Sequence, residues 1–119
     1  MGTNSRNKYL LETLNYLRKS ANKYNAPIWR YVYELLSRPK RKRIAVNLYK
    51  INKYTRDNDV VVVPGKVLGA GNIDHRITIG AFAYSASALK KLQNSNCTVL
   101  SIIELIERYN EGTNVKIII

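Results

Sequence analysis

The stretch Val60-Val61-Val62-Val63-Pro64-Gly65 carries the strongest fold signal in this 119-residue chain. Four consecutive β-branched side chains, with no polar residue among them, are typical of a buried strand. Pro64 and Gly65 fit poorly inside a strand, so we expect the strand to end there. The run therefore predicts a buried strand over residues 60–63.

Weaker strand signals lie on both sides of this run. Apolar side chains at 44, 46 and 48 alternate with small or polar ones, and Ile51 breaks the alternation. This pattern predicts a strand over 44–48 that ends or bulges near Ile51. Three further strands are predicted over 77–82, 98–100 and 115–119.

Two helices are predicted before the first strand. The first covers residues 6–20, where leucines recur at helical spacing. Its apolar stripe consists of Leu10, Leu14 and Leu17, widened by Leu11. The second covers 26–37, with Pro27 in its first turn and Pro39 just beyond its end.

Two more helices are predicted after residue 84. Ser85 is placed to cap a helix over 86–93. Ser101 and Glu104 have the spacing of a capping box, in which each side chain accepts a backbone N–H of the other residue. They indicate a helix that Gly112 ends. The elements together predict a mixed α/β fold that forms one domain, with a basic helical segment over 1–39 and a mixed core over 40–119.

The net positive charge of the chain comes entirely from its first half. Residues 1–56 contain 14 Lys or Arg against Glu12 and Glu34, a net charge of +12, whereas residues 57–119 contain six of each sign. Such one-sided charge is costly through self-repulsion, and a solubility surface normally mixes signs. A nucleic acid is therefore the favoured partner, with an anionic membrane surface as the main alternative.

Several classes of protein are disfavoured by the composition. Cys97 is the only cysteine, which excludes an internal disulfide; we expect it to be a small buried apolar side chain in a reducing cytoplasm. No apolar run approaches the roughly 20 residues needed to span a bilayer. Residues 1–6 lack the apolar segment of a secretory signal.

Signals for catalysis or a cofactor are thin. His75 is the only histidine, and we expect it to be an exposed turn residue rather than a base or a metal ligand. The stretch 64–71 superficially suggests a phosphate loop, but Val67 follows Lys66 where such a loop needs Ser or Thr. We therefore expect no cofactor, no metal and no small-molecule substrate. A small enzyme that uses the glycine-rich turns is the least favoured hypothesis.

The densest basic run lies between the second helix and the first strand. It starts at Arg38 and continues through Lys40-Arg41-Lys42-Arg43, and the ordered elements on both sides favour a phosphate clamp over a solvated linker or a targeting run. Polar and basic residues extend the candidate surface along the chain. They are Asn47, Lys50, Asn52, Lys53, Tyr54 and Arg56, with Lys66 after the Pro-Gly pair. Lys and Arg neutralise phosphates, Asn and Tyr hydrogen-bond to sugar, phosphate or base, and Tyr54 can stack on an unpaired base.

Three blocks of sequence resemble a known family. They are Val46-Asn47-Leu48-Tyr49-Lys50-Ile51-Asn52-Lys53-Tyr54-Thr55, then Val60 to Gly69 with its Pro-Gly-Lys-Val-Leu-Gly sequence, and Ile77 to Ala88. Together with Ser101 to Leu105, they are similar to ribosomal protein eighteen-e of the archaeal and eukaryotic large subunit, a relative of bacterial large-subunit protein fifteen. The resemblance runs from about residue 4 to the C-terminus, and the short chain is more similar to the archaeal form.

This resemblance implies both a fold and a partner. The fold would be an irregular layered body of short strands and helices behind an N-terminal helical segment. The protein would bind large-subunit rRNA in the cytoplasmic ribosome, beside neighbouring ribosomal proteins and without catalysis. The implied RNA-facing residues are Arg41, Lys42, Arg43, Asn47, Lys50, Asn52, Lys53, Arg56 and Lys66. A DNA-binding architectural protein remains the alternative, although no basic helix-turn-helix or β-ribbon pattern is present.

Overall fold

The computed structural model describes residues 5–119 and contains both helices and strands. The helices are α1 (Ser5–Lys23), α2 (Pro27–Leu36), α3 (Leu48–Tyr54), α4 (Ala86–Asn94) and α5 (Ile102–Arg108), with a 3-10 turn at Lys40–Lys42. The strands are β1 (Ile44–Asn47), β2 (Val60–Leu68), β3 (Thr78–Tyr84), β4 (Thr98–Ser101) and β5 (Val115–Ile117). This confirms the predicted mixed α/β fold with helices first. The expectation about a secretory signal at residues 1–6 lies largely outside the described range.

The five strands form one parallel sheet around β2. The order β1-β2-β3-β4 is continuous, and β5 also pairs with β2. β5 pairs with Val60–Val62, whereas β1 pairs with Gly65–Leu68. Because β3 occupies the other side of β2, β1 and β5 lie end to end along one edge of this long strand.

The valine run is apolar throughout because helices cover both faces of the sheet. Val61 and Val63 belong to one buried cluster and Val62 to another, and all three are fully buried. The first cluster includes Leu48 and Ile51 of α3 and Ala88 and Leu92 of α4. The second includes Leu17 of α1, Trp29, Val32 and Leu36 of α2, and Ile102, Leu105 and Ile106 of α5. The result is a sheet between two helical layers.

The prediction that Pro64 and Gly65 end the strand is wrong. β2 continues to Leu68, and its register against β3 shifts between Val63 and Lys66. At such an irregularity a proline, which has no N–H, does not remove a hydrogen bond between neighbouring strands. Gly65 is required for space, because a Cβ there would collide with the carbonyl oxygen of Ile44 on β1.

The predicted strand over 44–48 is shorter than expected. β1 ends at Asn47, and α3 starts at Leu48 without an intervening loop. Leu48 and Ile51 are both fully buried, one helical turn apart. Ile51 therefore marks the apolar face of a helix that the sequence analysis missed, and not a bulge.

The N-terminal helices follow the sequence prediction with one exception. Leu17 is fully buried and Pro27 is the first residue of α2. Leu11, however, is 58% exposed, so it does not widen the buried stripe of α1.

The predicted caps of the C-terminal helices are confirmed. The Oγ of Ser85 accepts a hydrogen bond from the backbone N–H of Ala88 at 3.2 Å. Ser101 and Glu104 form the capping box: the Glu104 N–H donates to Ser101 Oγ at 3.1 Å, and the Ser101 N–H donates to Glu104 Oε1 at 2.8 Å.

Candidate nucleic-acid interface

The basic run is an ordered link between α2 and β1. The N–H of Lys42 donates to the Pro39 carbonyl at 2.8 Å, and that of Arg43 to the Lys40 carbonyl at 3.2 Å, which closes a 3-10 turn. The side chains of Arg38, Lys40, Arg41 and Lys42 are exposed, and Arg43 is half-buried. The turn therefore presents a dense positive surface with a fixed backbone.

Part of this run shares a groove with Lys66. The groove has a volume of about 320 Å³ and lies where β1, β2 and β3 pair beyond the bulge. Its lining comprises Lys40, Arg43, Ile44, Ala45, Gly65, Lys66, Phe82 and Ala83. Lys66 is exposed and lies in register between Ala45 and Ala83, whose small side chains leave it uncovered. The fold thus brings together three cations that are up to 26 residues apart in the sequence, with no acidic residue among the eight that line the groove.

Arg43 contains an unsatisfied donor. Its Nε is buried and has no hydrogen-bond partner among the described residues. A buried donor without an acceptor costs about 1–3 kcal/mol. This unpaired Nε therefore makes an unfavourable contribution to stability in the side-chain position that the structure shows.

The basic residues of α3, and Arg56 just after its end, do not line the groove. Lys53 and Arg56 are exposed and Lys50 is half-buried, and none of them lines the groove. The ammonium of Lys53 lies 5.4 Å from the ring centre of the exposed Tyr54. Of the sequence-predicted cations, Lys40, Arg43 and Lys66 therefore line the groove, whereas those of α3 and the residues after it do not.

Asn47 and Asn52 have structural hydrogen bonds at their side-chain oxygens. The Oδ1 of Asn47 accepts from the N–H of Ala70 at 3.1 Å, and that of Asn52 accepts from the N–H of Asp74 at 3.1 Å. Both bonds tie the α3 region to the connection between β2 and β3. An RNA contact by these two residues stays a prediction, and their oxygens already serve the fold.

The glycine-rich connection after β2 is held by a lysine that the sequence analysis did not consider. The Nζ of Lys91 on α4 donates to the carbonyl oxygens of Gly69 at 2.8 Å and Gly71 at 2.7 Å. Gly71 has a positive φ of 88°, which favours glycine. No local sequence pattern indicates this contact, because Lys91 lies 22 residues after Gly69 and 20 residues after Gly71.

The chain is similar to several curated archaeal proteins, although no protein-family model matches it. A protein named large ribosomal subunit protein eL18 from Sulfurisphaera tokodaii is 47% identical over 96 residues, which is 81% of each chain. The protein of that name from Thermoplasma volcanium is 40% identical over 115 residues, 97% of this chain and 94% of the relative. The chain belongs to the eL18 family of large ribosomal subunit proteins. The eL18 protein of Pyrobaculum aerophilum covers still more, with 38% identity over 98% of this chain and 96% of the relative.

In this eL18-family chain the single histidine is not the exposed turn residue we expected. The His75 side chain is only 15% exposed, its Nδ1 lies 2.8 Å from Asp74 Oδ1, and its Nε2 lies 2.6 Å from Thr55 Oγ1. The hydrogen bond with His75 lowers the pKa of Asp74 below its usual range. Thr55 is 7% exposed and donates its hydroxyl proton to the Ile51 carbonyl at 2.7 Å. The hydrogen bonds of Thr55 and His75 therefore join the end of α3 to the turn before β3. The Thr55 hydroxyl is directed into the fold.

The remaining candidate chemical groups also serve the fold. Cys97 is half-buried, and burial raises the pKa of its thiol, which disfavours the reactive thiolate. Across residues 5–119, no three His, Cys, Asp or Glu side chains gather as a metal site would require. Within the same range no helix combines the length and apolarity needed to cross a membrane.

Proposed function

We propose that this chain is a structural constituent of the archaeal large ribosomal subunit that binds large-subunit rRNA without catalysis. The observation that carries the proposal is the convergence of Lys40, Arg43 and Lys66 on one groove in a chain of the eL18 family. Its place would be the ribosome in the cytoplasm, next to other large-subunit proteins.

Phosphate contacts would supply most of the affinity. The exposed run 38–42 has a fixed backbone, so its side chains face RNA without the cost of ordering a flexible tail. Arg43 and Lys66 extend this surface across the sheet, and Lys50, Lys53 and Arg56 form a second positive area along α3. The amide groups of Asn47 and Asn52 complete the proposed contact set, in addition to their bonds within the fold.

Salt dependence tests this electrostatic mechanism. If about 6–10 phosphates are contacted, the affinity for a large-subunit rRNA fragment falls roughly 10³–10⁵-fold between 50 and 200 mM salt. The measurement is a binding titration at several salt concentrations. An affinity that does not change with salt would contradict the proposed phosphate contacts.

Competition separates this proposal from a DNA-binding architectural protein. At moderate salt, unlabelled rRNA should displace a bound rRNA fragment more effectively than duplex DNA of equal nucleotide concentration. Equal or better displacement by DNA would favour the architectural protein instead.

Sedimentation tests the proposed place of the chain in the ribosome. The tagged protein, expressed in an archaeal cell, should travel with large subunits through a sucrose gradient and dissociate only at high salt. A protein that stays at the top of the gradient at low salt would contradict a structural role in the subunit.

A further inference from the structure

The groove around Lys66 is amphipathic, and phosphate contacts alone do not account for it. Three of its lining residues are cations, while Ile44, Ala45, Phe82 and Ala83 provide apolar surface between them. A protein that meets only the RNA backbone needs exposed cations and gains nothing from an apolar floor. The mixture of charge and apolar surface fits a ligand that is itself anionic at one end and flat and apolar at the other.

Phe82, the aromatic residue that lines the groove, is held in place by a residue outside the groove. The ring of Phe82 stacks on Tyr9 of α1, with 5.1 Å between ring centres and an angle of 25° between their planes. Its position is therefore fixed before any ligand arrives. Aromatic surfaces held in this way are what RNA-binding proteins use to receive bases that have left the helical stack.

The volume limits the occupant to something small. At about 320 Å³ the groove lies at the lower end of the range for small-ligand pockets, so it has room for a single nucleotide and not for a helix. The exposed ammonium of Lys66 and the guanidinium of Arg43, which lines the groove, offer donors to acceptors of that nucleotide.

We propose that the groove between Lys40, Arg43 and Lys66 receives one unpaired nucleotide of the bound RNA, with its base on the apolar floor and its phosphate between the cations. The inference rests on the RNA-binding function proposed above and adds the form of RNA that is recognised. A base within a continuous duplex cannot enter the groove, so the protein would discriminate in favour of RNA with an unpaired base.

The decisive variant fills the groove without changing its charge. Ala45 is exposed on β1 beside Lys66, so Ala45→Leu places a larger apolar side chain in the space where the base would lie. Ala83→Leu fills the groove from β3 and serves as the second variant if Ala45→Leu does not fold. Ala86→Leu is the matched control, because Ala86 is exposed at the start of α4 and does not line the groove.

The probes are a short mixed-sequence RNA strand and the same strand annealed to its complement. The wild-type protein should bind the single strand more tightly than the duplex at equal salt. Ala45→Leu should weaken single-strand binding roughly tenfold, as expected for the loss of one stacked base, and leave duplex binding unchanged. Ala86→Leu should bind both RNAs like the wild type, and circular dichroism should show the same thermal unfolding for all three proteins.

Two results would overturn the inference, and they have different meanings. If groove-filling variants that fold bind both RNAs like the wild type, or lose affinity for both equally, the groove does not receive an unpaired base, and the proposed rRNA-binding function stands. If the wild-type protein binds neither RNA at low salt, the RNA-binding function itself fails.

Discussion

At the scale of single residues, Asp59 shows how one carboxylate links two distant parts of the chain. Its Oδ2 accepts from the ammonium of Lys116 on β5 at 2.8 Å and from the N–H of Arg56 at 2.8 Å. These two hydrogen bonds lower the pKa of Asp59 below its usual range. The ionised carboxylate therefore connects the turn after α3 with the end of the sheet at which β2 and β5 begin.

The lowered pKa of Asp59 predicts a loss of stability in acid. Because the unfolded chain takes up this proton more readily than the folded one, the stabilisation is complete above about pH 4 and disappears as the pH falls through the lower, folded-state pKa. The pair is partly exposed, so its contribution to the free energy of unfolding should stay within about 1 kcal/mol. Urea unfolding between pH 7 and pH 3 measures it.

Two substitutions isolate the contribution of this ion pair. Asp59→Asn should lose part of the stability at neutral pH and show a weaker acid dependence than the wild type. Asp57→Asn removes a carboxylate from the same turn that accepts from the N–H of Arg76, and it should keep the acid dependence attributed to Asp59. Identical pH profiles for the wild type and Asp59→Asn would contradict the assignment.

The close approach of Gly65 to β1 predicts that a larger side chain there destabilises the fold. Gly65→Ala places a methyl group against the carbonyl oxygen of Ile44, a backbone atom that moves only if β1 shifts away from β2. We expect a loss of about 1–3 kcal/mol in the free energy of unfolding, as for other overpacked sites. Lys66→Ala, at the exposed neighbouring position, should change it by less than about 0.5 kcal/mol. Equal effects in chemical denaturation would contradict the steric argument.

Single lysines show the limit of sequence reasoning at this scale. Lys66 and Lys91 both lie in the neutral half of the chain, yet Lys66 is exposed at the groove and Lys91 is bonded to the carbonyls of Gly69 and Gly71. The charge of each was evident from the sequence. The partners of Lys91 are set by the packing of α4 beside the β2–β3 connection, and residue type cannot reveal them.

At the scale of elements, long patterns were predicted well and short ones poorly. The four valines, the leucine stripe of α1 and both predicted caps gave elements that the structure contains, although β2 continues to Leu68 and α5 ends at Arg108, before Gly112. The boundary between β1 and α3 was missed because four alternating residues continue without a break into a helix of seven. In so short a helix the only helical pattern in the sequence is the apolar pair Leu48 and Ile51. This pair is recognised as a helix face only once the sheet against which it packs is known.

The two predicted caps differ in the number of hydrogen bonds that they make. The capping box satisfies one N–H at Ser101 and another at Glu104, whereas Ser85 accepts one hydrogen bond at its cap. Ser101→Ala should lower the free energy of unfolding by about 1 kcal/mol, because the capped helix α5 packs through Ile102, Leu105 and Ile106 into the buried cluster that contains Trp29. Ser101→Thr retains a hydroxyl and should recover most of this loss. A Ser101→Ala protein as stable as the wild type would show that the box contributes little.

At the scale of the whole molecule, the division of charge does not follow the division into layers. The basic half supplies α1, α2, β1 and α3, which lie on both faces and at the edge of the sheet, and the neutral half supplies the other four strands. The sequence predicted a positive surface that includes Lys66 from the neutral half, but not that Lys66 would share a groove with Lys40 and Arg43. That convergence follows from the pairing of β1 with the far end of β2.

This arrangement predicts that the position of the positive charge, and not its total, determines RNA binding. Replacing Lys40, Arg41 and Lys42 with Ala lowers the net charge from +12 to +9, and so does replacing Arg76, Lys90 and Arg108, which are also exposed. The first triple variant should reduce the slope of log affinity against log salt by up to about 3, as three phosphate contacts are lost. The second should leave the slope nearly unchanged. If both variants weaken binding to a large-subunit rRNA fragment equally, the affinity depends on diffuse charge and the interface around the groove is not its source.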